Sequence, residues 1–239
     1  MEHLSDEDKA LFKQKSQAKS DSTRRGWVLA DPNNRDILGA VAQYYSSKLA
    51  EHGQSPRGVD WNSARTQLLR FAQLSKVIAD SSGFSVNDLG CGYGSYFDYL
   101  RNNYDDIHYI GIDVSADMVA AARQRFANVD NGRFVVSVEP DTMADYGIAS
   151  GIFNVRLNET DDAWHAHILR TLDVLDKTCR RGFAFNCLTS YSDADKVRDY
   201  LYYANPAAMF DHCKRNYSRD VALLHDYGLY EFTILVRKS

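Results

Sequence analysis

Apolar side chains recur at helical spacing over residues 36–50, at Ile37, Val41, Tyr44, Tyr45 and Leu49, until His52-Gly53 ends the run. A polar linker with Pro56 and Gly58 leads to a second amphipathic stretch over 61–79, carrying Leu68, Leu69, Phe71, Leu74, Val77 and Ile78. Residues 1–25 are rich in Lys, Asp, Ser and Gln around the paired anchors Leu11 and Phe12, a composition that predicts a solvated helix or loose arm.

From Phe84 the period changes. The segment 84–89 is short and alternating, and Gly90-Cys91-Gly92-Tyr93-Gly94 follows it, which reads as a strand entering a tight loop. A helix over 95–101 comes next, with Tyr96, Phe97 and Leu100 able to share a face. A second strand over 108–113 ends on Asp113. Ser115 can cap a helix with Met118, Val119, Ala122 and Phe126 inward and Asp117 near its positive end. Further strands are predicted at 134–138, 146–153 and 182–188. A long helix spans 162–179, and a mostly helical stretch covers 193–215 around Pro206. The segments 221–225 and 229–237, joined by Asp226-Tyr227-Gly228, predict an antiparallel hairpin. Alternating strands and helices closed by a hairpin imply an α/β fold with a mostly parallel sheet and helices on both faces. The helices that precede this region look like a cap. The expected division is an arm and N-terminal helical cap over 1–79 and a core over 80–239.

With 239 residues, 44% of them hydrophobic, the chain can bury one sizeable core. Lys+Arg 28 against Asp+Glu 32 give a net charge of −4, so no global basic field attracts nucleic acid. No run of roughly 18 apolar residues predicts a spanning helix, and the first residues lack the apolar stretch of a signal peptide. Cys91, Cys179, Cys187 and Cys213 are too scattered for a disulfide framework or a zinc site, which points to a reduced, cytoplasmic protein. His165 and His167 suggest a metal at first glance. Positions i and i+2 of a helix point about 200° apart, so the pair cannot chelate one ion, and no metal is expected.

Asp88-x-Gly90-x-Gly92-x-Gly94 lies between a strand and a helix. Glycines there let the backbone turn sharply and approach a ligand beside the positive end of a helix. Asp113 follows Gly94 by 19 residues at the next strand end, where a carboxylate can take both hydroxyls of a ribose. The GxGxxG spacing of dinucleotide-binding dehydrogenases is not met, because its third glycine falls on Ser95. An acid just before the first glycine suits a cationic ligand better than a pyrophosphate. A sulfonium that carries an α-amino group is such a ligand.

Val86-Asn87-Asp88-Leu89-Gly90-Cys91-Gly92-Tyr93-Gly94 resembles the first motif of the class I S-adenosylmethionine-dependent methyltransferases. Ile110-Gly111-Ile112-Asp113-Val114-Ser115 resembles their second, and the terminal hairpin is similar to their strands six and seven. The resemblance covers about residues 80–239. It implies a Rossmann-like seven-stranded sheet with an antiparallel C-terminal strand, S-adenosyl-L-methionine as cofactor and S-adenosyl-L-homocysteine as product. It implies that Asp88, Gly90, Cys91, Gly92 and Gly94 form the loop for the methionine part and that Asp113 holds the ribose. Val114 and Met118 would flank the adenine. The acid that often meets the adenine amino group falls within Val138-Glu139-Pro140-Asp141-Thr142, so Glu139 or Asp141 takes that place. Ser150, at the end of the fourth strand, is a further cofactor-binding candidate.

Methyl transfer from a sulfonium is an in-line displacement in which the protein must align a nucleophile and exclude water. A general base is optional, and no triad is evident. Ligands bind beyond the carboxyl ends of parallel strands, which directs attention to Asn154 and Arg156 after the fourth strand and Tyr191 after the fifth. Asn154 can contact a ligand or make a local turn, and Tyr191 can orient an acceptor or sit on the rim. Arg156 can bind a substrate anion or a surface acid. His225 can be a base if it faces the site. The Asn/Asp-Pro-Pro-Tyr signature of family members that methylate DNA or glutamine does not follow the fourth strand, which argues against those substrates. Tyr44, Tyr45, His52, Trp61 and Arg65 are candidate lid residues, although helix packing accounts for them too. Tyr200, Tyr202 and Tyr203 either wall a substrate or dock an outer helix. The expected function is methyl transfer to an oxygen or nitrogen of a small-molecule acceptor, with neither membrane nor nucleic acid as partner. A non-catalytic cofactor-binding subunit and an RNA methyltransferase working through a local basic patch are the alternatives. The acceptor and the oligomeric state stay open.

Overall fold

The computed structural model describes residues 32–61 and 63–238, so the arm expected over 1–25 lies outside the described residues. The apolar helix over 36–50 is part of α1 (Pro32–His52). In the second stretch the helix starts only at Ala64, because the Ser63 side chain accepts the Thr66 N–H and caps α2 (Ala64–Leu74). The compact unit Asp36–Ser239 then alternates β1 (Ser82–Leu89), α3 (Ser95–Asn103), β2 (Asp105–Asp113), α4 (Ala116–Arg125), β3 (Gly132–Val136) and β4 (Ala144–Ala149). It continues with α5 (Asp161–Thr178), β5 (Cys179–Leu188), α6 (Pro206–Asn216), β6 (Asp220–Leu224) and β7 (Glu231–Arg237).

The seven strands form one sheet in the order β3-β2-β1-β4-β5-β7-β6. β7 runs antiparallel to both β5 and β6, and the other pairings are parallel. Side chains alternate between faces along each strand, and this alternation separates two cores. Phe84 and Val86 of β1, Tyr109 of β2 and Leu235 of β7 meet Phe71 and Leu74 of α2, Phe97 of α3 and Val119 of α4. Leu89, Ile112, Phe183, Phe185, Phe232 and Ile234 meet Ile37 of α1, Trp164 and Ile168 of α5 and Met209 of α6. Chain direction across the sheet reverses between β1 and β4, whose carboxyl ends open the crevice where ligands of such sheets bind.

Two elements differ from expectation for local reasons. β4 ends at Ala149 rather than running to 153, since Gly151 turns the chain left-handed at φ 77°. The stretch over 193–215 is helical only from Pro206, apart from a single 3-10 turn at Ala194–Lys196. A residue before proline disfavours the helical region, and Asn205 instead caps α6 by accepting the Ala207 and Ala208 N–H groups. The intervening chain is held by isolated bridges, Val155 to Leu201 and Thr189 to Ala204.

Phe97 centres an aromatic stack, 4.5 Å from the Tyr109 ring and 4.9 Å from that of Phe126. It is fully buried. Phe97→Ala is expected to cost about 3–5 kcal/mol in urea unfolding. A loss below about 1 kcal/mol would show that the stack is not what holds α3 to the sheet.

Candidate active site

The loop after β1 turns three times into left-handed backbone, at Gly90, Gly92 and Gly94, with φ of 78°, 54° and 86°. Its first two N–H groups, from Gly90 and Cys91, donate to the Ile112 carbonyl at 2.7 and 3.0 Å and so bend the loop toward the end of β2. Neighbours press closely on it. A Cβ on Gly90 would lie 2.0 Å from Cγ2 of Ile152, and one on Gly92 would lie 3.0 Å from Cγ1 of Val59. A side chain at Gly90 would force Ile152 to shift, one at Gly92 would press on Val59, and the left-handed backbone strains a side chain at either position.

Asp113 closes over this loop. Its Oδ2 accepts the Gly92 N–H at 2.8 Å and its Oδ1 the Ser115 N–H at 2.9 Å. Burial pushes its carboxyl above the usual range, against the pull of the backbone N–H groups. Ser115 caps α4 through the Met118 N–H and touches Ser46 of α1, Oγ to Oγ 2.9 Å. Met118 is buried with its Sδ beside Gly92, and Val114 is half-buried.

Asp88 is fully buried beneath the loop. Its Oδ2 accepts the Tyr109 hydroxyl at 2.5 Å, and its Oδ1 has no partner. Ser150, at the end of neighbouring β4, likewise keeps a buried, unpartnered Oγ. Cys91 packs against Gly111, and burial pushes its thiol well above its ordinary value, which keeps it in the unreactive protonated form. Of the two acids after β3, Asp141 is bound by the Arg133 guanidinium, whereas Glu139 is exposed and engages Ser137 only through its backbone.

The expected acceptor-side residues separate. Asn154 is committed, its Oδ1 accepting the Leu188 N–H at 3.1 Å and its carbonyl the Tyr202 N–H at 2.8 Å. Arg156 pairs with Asp161 at 3.1 Å and donates to the Glu159 carbonyl. Tyr191 is 71% exposed and lies 6.0 Å, ring to ring, from the exposed His225. His225 follows β6, four strand spacings from β1, on the order of 19 Å at ~4.8 Å per strand. His165 contacts the Tyr202 hydroxyl, whereas His167 is buried and burial lowers it to about 4. The Tyr200 carbonyl accepts the Arg156 and Leu157 N–H groups, and Tyr203 accepts the Arg198 N–H, so both hold the 197–205 segment.

Among the lid candidates, Tyr44 donates to Asp60 at 2.8 Å, and burial with the nearby Asp60 and Asp113 carboxylates raises the Tyr45 phenol. His52 is half-buried, 3.5 Å from Glu51, and Arg65 is exposed. Trp61 is the most engaged. Its ring would meet a Cβ on Gly151 at 2.4 Å and lies 3.9 Å from the Arg70 guanidinium. Arg70 forks onto Glu231 at 2.8 and 2.6 Å. Glu231 Oε2 also accepts from Asn186 Nδ2 at 2.7 Å, and Asn186 Oδ1 accepts the Gly151 N–H at 2.8 Å. Arg70, Asn186 and Glu231 are not among the residues singled out from sequence. Their signal was an acid and an amide standing inside apolar strands.

Among the described residues no group of three or more side chains could hold a metal, and no helix is long and apolar enough to cross a membrane.

Burial pushes Asp88 up to about 7, while the Tyr109 hydrogen bond pulls the other way. The folded protein keeps this proton from about pH 4 to about pH 7, where the unfolded chain has lost it. The stability involved is therefore full below about pH 4 and lost as pH rises through about 7. Between pH 5 and 7 the wild type is expected to lose roughly 2 kcal/mol of unfolding free energy relative to Asp88→Asn. Parallel urea titrations of the two proteins check this, and parallel pH profiles would count against a buried protonated Asp88.

A methyltransferase domain model matches residues 87–173. The Mycobacterium tuberculosis (strain ATCC 25618 / H37Rv) protein named "Putative methyltransferase Rv1506c" is 59% identical over 164 residues, 69% of this chain and 99% of that one. Among solved structures, a DhpI-SAM-HEP complex gives a TM-score of 0.61 at 16% identity, covering 84% of this chain and 98% of that chain. Haemonchus contortus phosphoethanolamine N-methyltransferase 1, in complex with phosphoethanolamine and S-adenosylhomocysteine, gives 0.59 at 10% identity, covering 84% and 49%. At such identities the structural likeness is one of fold.

Proposed function

Because the chain belongs to the class I S-adenosylmethionine-dependent methyltransferases, we propose that it methylates an oxygen or nitrogen of a small-molecule acceptor at the crevice between β1 and β4. The observation that carries this reading is the glycine loop with Asp113 locked onto it, beside two buried polar atoms that lack partners. Those features fit the cofactor. The free atoms Asp88 Oδ1 and Ser150 Oγ are available to its polar methionine end. When bound, the cofactor supplies an electrophilic methyl group on a sulfonium.

Each residue then has a task. Asp113 accepts the ribose hydroxyls with the lone pairs that Gly92 and Ser115 leave unused. Val114 and Met118 flank the adenine. Glu139 receives its amino group, since Asp141 is already tied to Arg133. Gly90, Cys91, Gly92 and Gly94 carry the methionine part, and Asp88 ionises as an ammonium approaches it. Val59, Ile152 and Trp61 close on the loops from above and exclude water. That enclosure supports a small acceptor, as does the small acceptor named for the Haemonchus contortus enzyme. In this reading the described part of residues 36–79 acts as a cap on the core 80–239. Alignment, rather than a general base, provides most of the rate, and oriented reactants can contribute roughly 7–11 kcal/mol.

Calorimetric titration tests the cofactor assignment. S-adenosylhomocysteine is expected to bind the wild type at about micromolar Kd. Asp113→Ala is expected to weaken binding roughly 10–100-fold, from the ~1.5–3 kcal/mol of charge-assisted hydrogen bonding removed. Unchanged affinity in a folded variant would remove Asp113 from the site.

A further inference from the structure

Arg70 of α2 has no task in the cofactor site, yet its side chain is only 9% exposed. Its Nε–H and Nη2–H donate to the two Glu231 oxygens, which occupies one edge of the guanidinium fork. The remaining nitrogen, Nη1, is buried and has no hydrogen-bond partner. A buried N–H left unmet costs free energy, and folded proteins keep few of them. Trp61 covers the guanidinium face, and the same ring closes on Gly151, whose neighbour Ser150 holds another buried polar atom without a hydrogen-bond partner. The chain enters Trp61 from Asp60, a left-handed residue at φ 62°. Two unsatisfied polar atoms therefore belong to the two features that one indole ring bridges.

We propose that Arg70 binds a carboxylate of the ligand through its Nη1 edge, in the guanidinium plane, with Trp61 stacked on the guanidinium face. The geometry suits this role. Glu231 and Asn186 hold the guanidinium and the Gly151 backbone in one connected chain, so the free edge is presented in a fixed direction. A planar edge with parallel N–H groups matches the two oxygens of a carboxylate. The inference rests on the methyl-transfer reading and adds an acceptor class to it. The carboxylate has two sources, the acceptor or the methionine part of the cofactor. Placement favours the acceptor. Glu231 opens β7, three strand spacings from β1, on the order of 14 Å at ~4.8 Å per strand.

The test titrates three ligands into the full chain: S-adenosylhomocysteine, its decarboxylated analogue, and benzoate with and without S-adenosylhomocysteine. Wild type is compared with Arg70→Met and with Arg70→Met/Glu231→Gln. The double variant avoids an unpaired buried charge and keeps an oxygen for Asn186, and thermal melts verify that both variants fold. Benzoate is expected to bind the wild type in the millimolar range and both variants at least tenfold more weakly. The preference for S-adenosylhomocysteine over its analogue should stay constant across all three proteins. If the variants instead lose that preference, Arg70 binds a carboxylate and the cofactor is its source. If neither titration separates wild type from the variants, the proposal is overturned and Arg70 only braces α2 against β7. If S-adenosylhomocysteine binds none of the proteins, the cofactor reading fails, and benzoate alone still decides the role of Arg70.

Discussion

One carboxylate sets the geometry of the carboxyl edge of the sheet. Asp113 accepts an N–H from the loop after β1 and another from the start of α4, so a single strand end fixes both. Ser115 extends the constraint by capping α4 and meeting Ser46 of α1. Loop, helix start and covering helix are thus tied through three side chains. A side chain at Gly92 would be strained by its left-handed backbone at φ 54° and would press on Val59, its Cβ 3.0 Å from Cγ1. A charged carboxylate has about four lone-pair sites, and the two backbone bonds leave about two of them for a ligand.

The glycine loop and Asp113 were legible because their signal is local. A strand, a run of spaced glycines, a helix and an acid ending the next strand all fall within residues 84–113, and each step has a backbone reason. The alternation of periods and the terminal hairpin implied a mostly parallel sheet covered on both faces, and the family resemblance implied its seven strands with an antiparallel last one, whereas the order β3-β2-β1-β4-β5-β7-β6 came from the structure. What escaped was set by partners distant in sequence. Arg70 and Glu231 are 161 residues apart, and nothing near either one marks the other. Asn154 was open between ligand contact and local role, and the third dimension supplied the Leu188 N–H that occupies it. The 193–205 region carries charged and aromatic residues compatible with a helix, but Pro206 and the bridges to Val155 and Thr189 decide otherwise.

Charge is buried unevenly in this protein. Among the described residues, the buried acids and bases with full formal charge chemistry are Arg70, Asp88 and Glu231, and all three meet the carboxyl edge of the sheet. A buried ion pair is weak as a stabilising device, because desolvation offsets most of its attraction and apolar replacements are often as stable or more so. Removing one partner, by contrast, costs about 3–5 kcal/mol. Stability alone therefore does not explain why Arg70 faces Glu231 rather than two leucines. The same holds for Asp88, whose burial keeps it near neutral while half of its carboxyl lacks a partner.

The two groups flank the crevice and differ in what they offer. Asp88, below the glycine loop, can turn from a neutral acid into a carboxylate when a cation arrives, so it responds to the charge of its ligand. Arg70 is a planar cation held by Glu231, so it responds to shape instead, through a fixed edge. A site with an adaptable anion on one side and a fixed cation on the other is polarised across the β4 end. A ligand pair with a cationic centre near β1 and an oxygen-rich group near β7 would satisfy both sides at once. That polarity, built from side chains on β1, α2 and β7, would orient such a pair along one line in the proposed reading, and alignment is the main demand that an in-line transfer places on a protein.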